Sequence, residues 1–230
     1  MKANWRKIEP LLEGRGLAVG PAEREKLEQY AELLLHWNRR INLTGARDME
    51  TLFSRHLLDS LMLELLPRPS PDATCVDLGA GGGLPGIVQA IMHPGSHITG
   101  VEKVAKKITF LGHAAHTLGL DNYHPLRIDA REMAGLREWR GRTDIVMARA
   151  FAGLDELLRL AGPLLRPGGE LWAMKGLRLD EEQAGIDPAA LELFGPGAEV
   201  HPYSTAAGPG EEIGACVAVY RRNDYAAAGS

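Results

Sequence analysis

A chain of 230 residues that is 45% hydrophobic and 24% charged holds enough apolar material to close a globular core without staples, which excludes the disordered classes. Its two cysteines, Cys75 and Cys216, lie far apart and form no Cys-x-x-Cys pair, so neither a disulfide framework nor a zinc knuckle is encoded. The net charge of −4 is unevenly spread: residues 1–60 carry ten Lys and Arg against nine Asp and Glu, residues 101–150 nine against six, and residues 151–230 six against twelve, so a phosphate-contacting face is permitted outside the acidic tail.

Lys2, Arg6 and Lys7 precede no apolar stretch of signal-peptide length, and no run approaches the roughly 20 apolar residues of a membrane span; the expected address is the cytoplasm, with no membrane partner. After a short amphipathic start, Gly20-Pro21 sets proline at a first helical position, and Leu27, Tyr30, Ala31, Leu34 and Trp37 recur at helical spacing. Asp48 reads as the cap of a second helix through Leu52, Phe53, Leu57 and Leu61 to Leu66, stopped by the proline cluster from Pro67 to Pro71. That cluster divides a helical extension, residues 1–70, from the remainder, 71–230, with the extension expected to pack on it as one structural unit.

From Thr74 short β-type runs alternate with helical stretches. Strands are expected over 74–78, 97–102, 122–128, 144–150 and 170–175, with helices after Pro85, after Lys103, around Arg131 and after Leu154. Such alternation predicts an α/β, Rossmann-like fold with a mostly parallel sheet. Two further runs, 199–203 and 215–221, have no long helix between them and are expected to form an antiparallel pair at one sheet edge.

The strongest local signal is Val76-Asp77-Leu78-Gly79-Ala80-Gly81-Gly82-Gly83-Leu84-Pro85-Gly86, a glycine bend between a strand and a helix, where backbone can approach a ligand closely. Gly81-x-Gly83-x-x-Gly86 also satisfies the dinucleotide pattern, and Glu102, ending the second strand, lies near the distance of a ribose-binding acid, so a NAD-dependent oxidoreductase stays open. Asp77 favours the other reading: a carboxylate at the strand end repels a diphosphate but suits S-adenosyl-L-methionine (SAM), which carries an ammonium and a sulfonium. Leu164 to Leu171, a helix exit and Pro-Gly-Gly turn feeding a strand, resembles the corresponding turn of Rossmann-like methyltransferases. Asp77, Gly81 and Glu102, with the glycine bend around them, are then the cofactor-binding candidates, and adenine is expected beside Asp129 to Glu132.

Absences narrow the acceptor. Where an Asn/Asp-Pro-Pro-Tyr segment would hold a base amine, this chain reads Ala148-Arg149-Ala150-Phe151, and neither cysteine is placed as a nucleophile for carbon methylation. An acceptor with its own lone pair, such as guanine N7, needs only positioning against the sulfonium methyl. Arg149, ending the fourth strand, is the expected catalytic residue, aligning cofactor and target; the alternative is a salt bridge to Asp77 or Glu102. Phe151 is available to stack on a base and Lys175 to meet a phosphate. His56, with Arg55 and Asp59 on one helix face, either touches RNA or ties the helix to the sheet. His113 and His116 have no third ligand near them, and no metal is expected.

Together, Trp37-Asn38-x-x-Ile41-Asn42-Leu43-Thr44, Arg55-His56-x-x-Asp59-Ser60, the glycine bend, Arg149-Ala150-Phe151 and Lys175-Gly176 resemble the RsmG (GidB) family of bacterial small-subunit ribosomal RNA methyltransferases over roughly residues 25–176. The resemblance implies a class I SAM-dependent fold, methylation of N7 of a guanine in the decoding region of 16S rRNA, the small ribosomal subunit or its RNA as partner, and SAM contacts at Gly79, Leu84, the Ala130-Arg131 backbone and Arg149. Family members usually read Arg-Ala-Glu-Glu where Asp129-Ala130-Arg131-Glu132 stands here, and a basic residue and leucine where the tail has Glu211 to Cys216. An RNA-binding module without catalysis is the third reading. The residues specify no oligomeric state.

Overall fold

The computed structural model describes residues 2–195, 197–208 and 211–223. Its strands are β1 (Thr74–Leu78), β2 (His97–Val101), β3 (Tyr123–Leu126), β4 (Thr143–Arg149), β5 (Leu165–Lys175), β6 (Glu199–Gly208) and β7 (Glu211–Arg221), forming one seven-stranded sheet in the order β3-β2-β1-β4-β5-β7-β6. Pairs among β1 to β5 are parallel, whereas β7 runs antiparallel to β5 and β6 antiparallel to β7. The mostly parallel sheet with an antiparallel edge pair is therefore what forms. Its helices are α1 (Lys2–Glu13), α2 (Pro21–Asn38), α3 (Met49–Thr51), α4 (Leu58–Leu61), α5 (Gly86–Met92), α6 (Ala105–Leu118), α7 (Ala130–Gly135), α8 (Leu154–Leu164) and α9 (Leu179–Ala184).

Because successive strand residues point to opposite faces, each central strand feeds two cores. Cys75, Ile145, Met147, Trp172 and Val217 face the core shared with α1, α2, α4, α5 and α6. Val76, Val146, Leu171, Ala173 and Ala218 face the core shared with α7, α8 and α9. The amino-terminal helices thus bury their apolar faces in the same cluster as α5 and α6. They also brace the glycine bend: the buried Tyr30 hydroxyl of α2 donates to the Gly82 carbonyl at 2.6 Å. Asn38 fastens the segment after α2, its Oδ1 accepting from the Leu43 and Thr44 amides and its Nδ2 donating to the Thr44 and Ala46 carbonyls.

Four elements differ from their sequence expectation. The amphipathic start is a full helix, α1, held by Trp5, Ile8 and Leu12 in the first core. The helix expected from Asp48 to Leu66 is capped by Asp48 but broken, with a π-helical stretch over Leu52–Leu57 before α4 and a 3-10 turn over Met62–Leu65 after it. Apolar spacing cannot separate a 3.6-residue turn from a wider one, and π turns often mark functional positions; His56 lies inside this one. β5 starts at Leu165, earlier than expected, because the Pro-Gly-Gly turn is a kink inside the strand: a Cβ on Gly169 would stand 2.9 Å from the Thr143 carbonyl, and the β4 register shifts there. The edge hairpin is longer than its apolar runs, since backbone pairing carries β6 to Gly208 and β7 from Glu211. The side chains of Glu211, Glu212 and Ile213, on which the tail expectation rests, lie outside the described residues.

Candidate functional site

Strand order reverses between β1 and β4, so the loops leaving their carboxyl ends diverge and open a crevice there. The glycine bend forms one wall. Its amides are spent inside the protein: Ala80 N–H donates to the Val101 carbonyl at 2.9 Å, Gly83 N–H to the Ala80 carbonyl at 2.6 Å, Gly81 N–H to Glu102 Oε2 at 3.2 Å and Gly86 N–H to Asp77 Oδ2 at 2.9 Å. A diphosphate binds such a bend through free amides. Here Asp77 and Glu102 already occupy two of those donors with carboxylates.

The charge argument made for Asp77 needs correction. The side chain is 1% exposed and lies on the wall of neither cavity described below, because it points beneath the bend to cap Gly86. A Cβ on Gly86 would stand 2.5 Å from its Oδ2, which is why glycine is required there. Burial pushes the Asp77 carboxyl up to about 7, against the Gly86 hydrogen bond and the Arg149 charge, with Glu102 adding to the rise. Its Oδ1 is buried with no hydrogen-bond partner among the described residues.

A cavity of about 350 Å³ opens beyond the bend, and of the expected cofactor residues Gly79, Glu102, Ala130 and Arg131 line it. Gly81 and Leu84 do not, and Leu84 is buried in the first core. Glu102 is only 7% exposed; its Oε1 accepts from Val104 N–H at 2.9 Å and Lys107 Nζ stands 3.6 Å from Oε2. Asp129 caps α7 by accepting from Arg131 N–H at 3.0 Å, and the Arg131 guanidinium pairs with Glu156. Val101, Val104 and Ile128 complete the walls, residues that sequence reasoning passed over. Their one signal was position, beside Glu102 and just past β3.

A second cavity, about 430 Å³, is lined by Arg149, His56, Asp59, Lys175, Glu182 and Tyr203 among others. Neither Asp77 nor Glu102 is the partner of Arg149. Its Nε and Nη2 donate to Asp59 Oδ2 at 3.2 and 2.9 Å, and Nη2 lies 2.7 Å from His56 Nδ1. Of the two alternatives for His56, the docking one is observed, since His56 ties its helix to Arg149 of β4; the same side chain also lines this cavity. Burial, then the Arg149 and Arg55 charges, lower the His56 pKa to about 4, so the ring is neutral at pH 7 and its Nδ1 accepts from Arg149. Burial raises the Asp59 pKa, opposed by Arg149 and by a hydrogen bond with Tyr203.

Between the cavities runs the turn Ala150-Phe151-Ala152, whose two alanines line both. Ala150 holds a φ of 50°, a left-handed conformation costly for a residue with a Cβ. Phe151, 37% exposed, lays its ring on Gly79 so closely that any Cβ there would overlap it. Lys175 is not the free cation expected. Its side chain is 9% exposed, and Nζ donates to the Ala152 carbonyl at 2.9 Å and to Glu182 Oε2 at 2.6 Å. His113 packs against Trp37, ring centroids 5.4 Å apart, and among the described residues no group of three or more His, Cys, Asp or Glu could hold a metal. Nor, among them, is any helix long and apolar enough to cross a membrane.

The two perturbed groups give opposite pH dependences. For His56 the folded value near 4 lies below the ordinary imidazole value of 6.5, so the unfolded chain binds the extra proton in that window and stability falls as pH drops through it. For Asp77 the folded value near 7 lies above 3.8, so the native state keeps its proton longer and stability falls as pH rises through that window. Urea titrations should therefore show His56→Gln flattening the acid limb, and Asp77→Asn gaining on the wild type from pH 4 to 7; parallel curves for variant and wild type would contradict either assignment.

A family model described as rRNA small subunit methyltransferase G matches residues 23–193. The chain belongs to this family. A ribosomal RNA small subunit methyltransferase G from Bordetella avium is 40% identical over 192 residues, spanning 81% of this chain and 83% of that protein. One from Halorhodospira halophila is 37% identical over 214 residues, spanning 93% and 95%. Among solved structures, a predicted O-methyltransferase from Agrobacterium tumefaciens is similar with a TM-score of 0.54 at 22% identity, over 71% of this chain and 80% of that one. M. jannaschii TYW2 in complex with AdoMet is similar with a TM-score of 0.53 at 14% identity, over 73% and 76%. These likenesses establish the class I methyltransferase fold for a methyltransferase G family member, and the oxidoreductase reading gives way to it. The bend's own bonding explains why: two of the amides a dinucleotide would need are taken by carboxylates.

Proposed function

We propose that this protein transfers the methyl group of S-adenosyl-L-methionine to N7 of a guanine in the 16S rRNA of the small ribosomal subunit. The observation that carries the reading is the pair of cavities on either side of one turn at the carboxyl edge of β1 and β4, one holding Glu102 and the other Arg149. The first cavity fits the cofactor in chemistry as well as place. Gly79 lines it with bare backbone beneath the Phe151 ring, Glu102 offers carboxylate lone pairs to ribose hydroxyls, Val101, Val104 and Ile128 suit a purine face, and the Ala130-Arg131 backbone is at hand for an adenine edge.

When bound, SAM supplies an electrophilic methyl on a cationic sulfur. The chain's own residues position the acceptor. Arg149 spends its Nε and Nη2 hydrogens on Asp59 and His56, and its Nη1, with no hydrogen-bond partner among the described residues, is the donor available to guanine O6. Held by O6, a guanine keeps its N7 lone pair for the methyl, and no general base is needed. A cysteine-nucleophile route finds no support, since burial raises the Cys75 thiol to about 11 and also raises that of Cys216.

Reduction and aniline scission at 7-methylguanosine tests the function directly. Small subunits from a strain lacking the gene, incubated with this protein and SAM, should gain one cleavage site in the decoding region of 16S rRNA; no new site in either subunits or naked rRNA removes the proposal. The same assay separates an enzyme from an RNA-binding module without catalysis.

A further inference from the structure

Glu182 stands on α9, a short helix that the sequence pattern did not announce, outside the strands that build the site. Its Oε2 accepts from Lys175 Nζ at 2.6 Å and from the Leu154 amide at 2.9 Å, while Lys175 Nζ donates to the Ala152 carbonyl at 2.9 Å. One carboxylate oxygen therefore grips both ends of residues 152–154. Just upstream, Ala150 keeps its left-handed φ of 50°, a conformation that persists only where the surroundings hold it. The Phe151 ring at the tip lies over Gly79 and is 37% exposed.

We propose that Glu182 is a positioning residue for methyl transfer: through Lys175 and the Leu154 amide it fixes the Ala150–Ala152 turn, whose two alanines line both cavities and whose Phe151 ring walls the cofactor cavity. The proposal rests on the functional reading above. Its physical content is that the turn's place, and hence the line from methyl to acceptor, depends on an ion pair that is absent from the cofactor cavity and, on the wall of the acceptor cavity, spends its charges on each other and on the turn. Docking of α9 alone would lower stability when disturbed, with no effect on the rate of the folded enzyme. Positioning lowers kcat, and by more than any weakening of cofactor binding.

The test places 4-fluorophenylalanine at all four phenylalanines, of which Phe53, Phe110 and Phe194 are buried and Phe151 is identified by its absence in Phe151→Tyr. In Glu182→Gln the Phe151 fluorine resonance should shift or broaden while the other three stay put. The kcat on small subunits should fall about tenfold or more, as a misplaced reacting pair does, and by a larger factor than KM for SAM rises. Since Glu182→Gln leaves the Lys175 charge nearly buried and unpaired, the paired change Lys175→Met with Glu182→Leu removes both charges, and it should give the same resonance change and rate loss. An unmoved Phe151 resonance, or an unchanged kcat, in both variants overturns the proposal. A wild-type protein inactive on 16S rRNA overturns the functional reading itself, an outcome plainly distinct from an active wild type with unaffected variants.

Discussion

Arg149→Ala is expected to lower methyl transfer by about a hundredfold or more, roughly 3 kcal/mol of transition-state stabilisation, while leaving SAM affinity nearly unchanged. The separation follows from where the side chain lies: Arg149 lines the acceptor cavity and is absent from the wall of the cofactor cavity. The substitution also strips Asp59 of its cation. Both side chains are 18% exposed, so the pair is largely shielded, and removing one member should cost about 2–3 kcal/mol of stability. Arg149→Lys separates the effects, because an ammonium keeps the charge but cannot bond Asp59, His56 and a guanine edge together. Its stability should recover while its rate stays low. The readouts are SAM affinity by calorimetry, transfer of labelled methyl to small subunits and the urea midpoint. Unchanged rates in Arg149→Ala would take this residue out of the reaction altogether.

What the residues disclosed, and what they hid, divides along a physical line. Alternation of β and helical runs announced the parallel sheet, because period and glycine punctuation are local properties. Positions at strand ends announced Glu102 and Arg149, because topology brings carboxyl ends of parallel strands to one edge. Partners separated in sequence were hidden. The bonds from Arg149 to Asp59 and from Lys175 to the Ala152 carbonyl join residues ninety and twenty-three positions apart, and no spacing rule encodes them. Charge was the least legible: Asp77, expected at the strand end to repel a diphosphate, is buried, capped onto Gly86 and pushed toward neutrality. Lys175 failed likewise, a cation on paper whose charge is consumed by Glu182. Asp77 instead takes up an amide of the bend, the Gly86 N–H, and lines neither cavity.

Gly79→Ala is expected to weaken SAM binding at least about tenfold, more than its cost in stability accounts for. Two burdens fall on that substitution. The φ of 72° is a conformation that costs an L-residue with a Cβ about 1 kcal/mol, and the new methyl overlaps the Phe151 ring. The ring is part exposed and can yield, so the native fold survives; but both Gly79 and Phe151 line the cofactor cavity, and a displaced ring takes up its volume. The two burdens separate in a double-mutant cycle with Phe151→Ala. Removing the ring relieves the overlap and leaves the backbone strain, so Gly79→Ala with Phe151→Ala should regain most of the lost affinity while keeping the loss in thermal stability. If the double variant binds SAM as poorly as Gly79→Ala alone, the damage comes from the bend itself, and the packing of Phe151 on Gly79 does not shape the cofactor cavity.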